Sequence, residues 1–197
     1  SAQAAPAVAR DLVATLEPNQ VFADLNTGAP ALKRKLEEII APSGAAFVDV
    51  ALLTPVAGSG IRTPSLASGP GAERFVELMT PLGMPISFVD DQAGSAAARK
   101  LLRSIFIKGV HAAVLEGRAA ASRLGQLDWY LEEVGRTFDK LSAADVNPFI
   151  VGSQQHALRR MHEMEAASEL VRELGLTPNV SQAAAEVLRE LLEDSSS

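Results

Sequence analysis

Apolar residues recur with two different spacings along this chain, and the change between them falls near residue 93. Before it, short apolar runs alternate with helical segments. The pattern predicts a helix over 8–16, a strand over 21–25, and a helix Pro30–Ile40 opened by a proline, whose missing donor costs nothing in a first turn. AAFVDVALL, over 45–53, is too continuously apolar to alternate. It predicts a strand covered on both faces, as in a parallel sheet. TPVAGSGIRTPS then leads to a short strand at Ser65–Ser68, a helix over 71–82 and a strand over 85–89.

From Gly94 onward only helical spacing remains, over 95–124, 127–138, 154–174 and 181–192. Ser95 and Ser181 are the expected N-caps, and Gly125 and Gly175 the expected stops. The fold class this implies is α/β followed by all-α, with domains over 1–93 and 94–197. The first of these helices is mostly apolar, yet at about 100° per residue Lys100, Ser104, Lys108, His111 and Arg118 share one stripe roughly 80° wide. A polar stripe on such a helix points to a cleft.

Composition narrows the partners. The 197 residues are 47% hydrophobic, enough for one sizeable core or two small ones. A net charge of −6 gives no basic face for phosphates, so nucleic acid is not an expected partner. Lys33-Arg34-Lys35 lies beside Glu37 and Glu38 and reads as a solvated helix face. There is no cysteine, which removes disulfides and thiolate chemistry and fits a reducing, cytoplasmic setting. No apolar run is long enough to span a bilayer, and no membrane partner is expected.

Several chemistries lack their motifs. His111, His156 and His162 are scattered, so no metal site is expected. No Gly-x-Ser-x-Gly elbow and no phosphate loop ending in Gly-Lys-Ser/Thr occur, and Gly58-Ser59-Gly60 lacks the third glycine of a dinucleotide turn. Lys100 is the strongest single candidate. A lysine one or two turns into a helix between domains can lose solvation, which lowers its pKa and lets the neutral amine exchange a proton near pH 7. The alternative is a lysine snorkelling to the surface.

Three segments carry a resemblance. Asp24-Leu25-Asn26-Thr27-Gly28-Ala29-Pro30, then Phe47-Val48-Asp49-Val50-Ala51, then Gly94 with Lys100 six residues later, resemble in order and spacing the motifs of the β-hydroxyacid dehydrogenases. That group includes the 6-phosphogluconate and 3-hydroxyisobutyrate enzymes. The resemblance implies the C-terminal part of a Rossmann-like NAD(P)-binding domain, a long interdomain helix and a helical C-terminal domain that pairs two chains as a homodimer. It also implies an NAD(P)-dependent oxidoreductase of a small hydroxy acid or related carbonyl compound, with NADP or NAD as cofactor. Lys100 would be the general acid/base, while Asn26 and Thr27 would lie beside the nicotinamide.

Departures from the family pattern fall mainly on the substrate side. Ser104 stands where the family has an asparagine one turn after the lysine; it can still bond a substrate oxygen, at shorter reach. The family's Ser-Gly-Gly substrate loop corresponds to Leu53-Thr54-Pro55, leaving Thr54 as its candidate donor. His162-Glu163 falls where the family often has Lys-Asp, which makes His162 a candidate for substrate or cofactor contact against the plainer reading of a helix-surface histidine. The family's strand, three-glycine turn and helix have no counterpart here, so roughly 70 residues, about half a Rossmann unit, are expected upstream of Ser1. The 197 residues alone are therefore expected to bind NAD(P) weakly or not at all. The competing reading is a non-catalytic helical dimerisation or binding module.

Overall fold

A computed structural model describes residues 1–194. The chain divides into two compact units, Ser1–Ile105 and a second from Phe106 onward. In the first, α1 (Ala5–Val13), β1 (Val21–Asp24), α2 (Pro30–Ile40), β2 (Ala46–Leu52), β3 (Ser65–Ser68), α3 (Ala72–Met79) and β4 (Ile86–Phe88) precede the long α4 (Ser95–Arg123), which continues into the second unit. The strands form one sheet in the order β1-β2-β3-β4.

The sheet is mixed rather than parallel. β1 runs parallel to β2 and β4 parallel to β3, but β3 runs antiparallel to β2. A parallel return needs a crossover, usually a helix. The segment after β2 holds only the short 3₁₀ turn Gly60–Arg62, so the chain folds straight back.

β2 is covered on both faces, as its sequence predicts. Phe47 packs with Leu36 and Ile40 of α2 and Ala5 and Ala9 of α1, while Val48 and Val50 pack on the opposite face with Ala67, Ala72 and Met84. Burial of these apolar side chains stabilises the unit by about 1.5–3 kcal/mol for each large one. α2 joins this core along Lys33, Leu36 and Ile40, which share one helical face and are all buried. The first of these corrects the sequence reading: Lys33 is only 1% exposed, not part of a solvated face.

The second unit contains the rest of α4 with α5 (Leu127–Lys140), α6 (Val146–Gln155), α7 (Ala157–Glu173) and α8 (Asn179–Asp194). The helix expected over 154–174 is broken at His156, and α6 before it was not apparent from spacing. Pro148 and Gly152 lower the helix propensity of that segment, although proline is tolerated in a first turn. α7 stops at Gly175, whose φ of 73° is open to glycine at little cost. Ser95 and Ser181 are not N-caps. α4 starts at Ser95 itself and α8 at Asn179, and the amides of Val180 and Ser181 are held by Glu116 of α4 at 2.7 and 2.9 Å. No helix among the described residues is long and apolar enough to cross a membrane.

Candidate active site

Strand register lines up three polar residues. Asp24 of β1 sits opposite Asp49 of β2, which sits opposite Ser68 of β3. The latter two satisfy the amide groups that the start of α4 leaves without helical partners. Asp49 Oδ2 accepts from Ala97 N and Ser68 Oγ from Ala96 N, each at 2.9 Å. A carboxylate at a helix N-terminus also meets the positive end of the helix dipole, worth about 0.3–1 kcal/mol or somewhat more when partly buried. Gly94 makes this docking possible: a Cβ there would lie 2.8 Å from Pro30 O.

Lys33 neutralises the row. Its ammonium lies 2.7 Å from Asp24 Oδ2 and 3.0 Å from Asp49 Oδ1, and it donates to the carbonyls of Asp24 and Asn26 at 3.1 and 2.7 Å. Asp24 Oδ1 in turn accepts from Asn26 N at 3.3 Å and Asn26 Nδ2 at 2.6 Å. Asp49 is fully buried, so removing Lys33 alone would strand carboxylates, at a cost of about 3–5 kcal/mol.

Above this cluster, Lys100 Nζ donates to Thr27 Oγ1 at 2.7 Å. The pKa of Lys100 is lowered from the ordinary lysine value, chiefly because partial burial disfavours the charged form and secondarily because Lys33 repels it; Asp49 acts in the opposite direction. Asn26, Thr27, Gly28, Lys33, Asp49, Ala97 and Lys100 line one narrow crevice, too tight in this structure to admit a water molecule. Asn26 also lines a larger hollow of about 410 Å³ against α1 and β1. The structure therefore brings Asn26, Thr27 and Lys100 together.

The remaining candidates are more dispersed. Ser104 is half-buried one turn beyond Lys100, and Thr54 is exposed. Arg103, absent from the sequence reading, donates to Leu53 O at 3.0 Å beside Thr54. His162 is exposed on α7 of the second unit. Among the described residues no cluster of three or more groups suits a metal ion. Sequence signals for the buried charges did exist: Asp49 interrupts an apolar run, and Lys33 shares a helical face with Leu36 and Ile40, so each needs a buried partner.

Comparison with known proteins adds a family context. Residues 121–191 match the profile of a domain of unknown function, DUF1932. A conserved hypothetical protein from Sinorhizobium meliloti 1021 is 32% identical, with a TM-score of 0.60, covering 95% of this chain and 63% of that one. An uncharacterized 28.5 kDa protein of Methanothermus fervidus is 27% identical over 158 residues, covering 80% of this chain and 61% of that protein. A conserved protein described as structurally similar to 3-hydroxyacid dehydrogenases is 28% identical, with a TM-score of 0.60, covering 97% of this chain and 72% of that one. Over part of their length, the chain is thus similar to proteins of the 3-hydroxyacid dehydrogenase type. An imine reductase from Myxococcus stipitatus in complex with NADP⁺ shares the fold of this chain at 20% identity, with a TM-score of 0.72 over 93% of this chain and 71% of that one. The architecture here is that of the C-terminal part of the 3-hydroxyacid dehydrogenase fold, and the chain spans a little over three-fifths of the length of its first two relatives.

Proposed function

We propose that this chain supplies the proton-transfer part of an NAD(P)-dependent oxidoreductase site acting on a small hydroxy acid or a related carbonyl compound, with Lys100 as general acid/base. The observation that carries the reading is the Lys100 amine, partly desolvated and held at 2.7 Å from Thr27 Oγ1. Lowered proton affinity enlarges the neutral fraction at a given pH, and the neutral lone pair can take the proton of a substrate hydroxyl. In the reverse direction the ammonium returns it to the nascent alkoxide. Thr27 occupies one N–H of Lys100, which restricts the amine's rotation and leaves the other positions for substrate. Ser104 and Thr54 are the proposed hydrogen-bonding partners of substrate oxygens, and His162 the proposed contact from the helical unit.

The residues around Lys100 fit a nicotinamide. Asn26 and Thr27 offer neutral polar groups, and Asn26 borders both the Lys100 crevice and the hollow along β1. They would hold the nicotinamide end of NADP or NAD, which when bound supplies the hydride acceptor or donor. The cytoplasm is the proposed location, consistent with the lack of cysteine.

The test is Lys100→Ala in the full-length protein, assayed as NADPH oxidation and NADP⁺ reduction with small oxo and hydroxy acids and imines. Turnover should fall by about 10²-fold or more with the fold retained. Unchanged turnover would remove Lys100 from the mechanism.

A second reading, a non-catalytic dimerisation module, is favoured by one observation. In the second unit Phe106, Leu115, Trp129, Phe149 and Ile150 are more than half exposed. A paired helical unit would remove such apolar surface from water. On either reading we propose a homodimer through the helical unit; a monomer by sedimentation at micromolar concentration would argue against it.

A further inference from the structure

The ammonium of Lys33 ties together the two sides of the Thr27–Lys100 contact. On one side it holds Asn26 O at 2.7 Å, and Asn26 immediately precedes Thr27. On the other it pairs with Asp49 at 3.0 Å, whose second oxygen holds Ala97 N at 2.9 Å, three residues before Lys100 on α4. Asp24 closes the arrangement, pairing with Lys33 at 2.7 Å and accepting from both nitrogens of Asn26.

Packing alone does not call for this charge. Position 33 lies on the same buried face of α2 as Leu36 and Ile40, where an apolar side chain would also fill space. Apolar replacement of a whole buried ion cluster is often neutral or stabilising, so stability is a weak reason for such a cluster. Its geometry offers another: four oxygens from β1, the turn after it and β2 converge on one rigidly held ammonium.

We propose that Lys33 is a positioning residue whose ammonium fixes the Asn26–Thr27 turn and the first turn of α4 together, so that Thr27 accepts a hydrogen bond from Lys100. The functional weight of this assignment rests on the reading of Lys100 as the acid/base group. The charge of Lys33 also acts on Lys100 at a distance, lowering its proton affinity after burial has done so, while Asp49 opposes both. The groups acting on the Lys100 amine are therefore Lys33 from α2, Asp49 from β2 and the hydroxyl of Thr27.

The test uses the 197-residue chain without substrate or cofactor. Lys33→Met alone strands two buried carboxylates, so the informative variant is Asp24→Asn/Lys33→Met. It removes one charge of each sign, keeps an oxygen for Asn26 N, and leaves Asp49 on Ala97. Two readouts are followed: hydrogen exchange at the Asn26 amide, and the NMR titration of Lys100 after reductive ¹³C-methylation, its signal identified with Lys100→Arg. Exchange at the Asn26 amide should accelerate about tenfold or more while β2 stays protected. The Lys100 midpoint should rise, because the repulsion from Lys33 is removed. If the variant folds and either readout stays at the wild-type value, the proposal fails.

A measurement on the unaltered chain covers the case in which the variant does not fold. Asn26 N and Ala97 N both rest on carboxylates paired with Lys33, so they should open as one unit with exchange rates alike within about tenfold. Rates further apart would overturn the assignment. Neither readout depends on turnover, so failure of the Lys100→Ala assay is distinguishable from failure of this positioning role.

Discussion

Gly94→Ala should loosen the candidate site from outside it. The new Cβ would lie 2.8 Å from Pro30 O, 3.0 Å from Pro30 Cα and 3.1 Å from Pro30 Cβ. Two of these are backbone atoms at the start of α2, so no flexible side chain can give way. Gly94 also has a φ of +100°, where any other residue is strained. The conformational cost is about 1–2 kcal/mol, and overpacking typically adds about 1–3 kcal/mol. A total near 3 kcal/mol implies a fall in Tm of roughly 6–12 °C for a chain of this size. Gly109→Ala provides the internal control on the same helix, since nothing lies within 4 Å of its Cβ position and it has helical geometry. It should stabilise by about 0.5–1 kcal/mol. Urea unfolding of the two variants, followed by circular dichroism, should therefore give midpoints displaced in opposite directions. If Gly94→Ala unfolds with the wild-type midpoint, the close approach of α4 to α2 is wrong, and so is the support it gives Lys100.

Two further predictions concern separate parts of the chain. The pKa of Glu116 is lowered: burial alone would raise it, but the amides of Val180, Ser181 and Asn179 together outweigh burial. With a depressed folded-state pKa, its stabilisation is present above the unfolded value and is lost as pH falls through the folded value. Glu116→Ala should thus cost about 1–2 kcal/mol in neutral urea titrations and little once the carboxylate is protonated in acid, whereas an equal loss at both pH values would contradict this account. Separately, no three-glycine dinucleotide turn stands in these 197 residues, so isothermal titration with NADP⁺ and NAD⁺ should find affinities weaker than micromolar. Micromolar binding by the chain alone would refute that expectation.

Sequence legibility varied for physical reasons. α2 was readable to its last residue because a first-turn proline and apolar Leu32, Leu36, Ile39 and Ile40 at i, i+4, i+7 and i+8 mark it. The direction of β3 was misread because its four residues carry no directional signal; the missing crossover helix was the usable clue. α6 was overlooked because Pro148 and Gly152 weigh against a helix by propensity, and the end of that helix at His156 leaves no break in composition. At the candidate site, spacing and resemblance singled out Asn26, Thr27 and Lys100, which the fold brings into one crevice. The supporting charges escaped notice because Lys33 lies in a basic triplet whose other two members are exposed.

The row Asp24–Asp49–Ser68 also bears on how the sheet finds its register. The strands are only three to seven residues long, so few hydrophobic pairs are available to set their alignment. Because side chains alternate faces, sliding β1 by one residue against β2 would turn Asp24 away from the face on which Lys33 waits. A buried ammonium and a buried carboxylate would then each lose a partner, at a cost of about 3–5 kcal/mol. The charges beneath Lys100 thus penalise a shifted sheet as well as support the site.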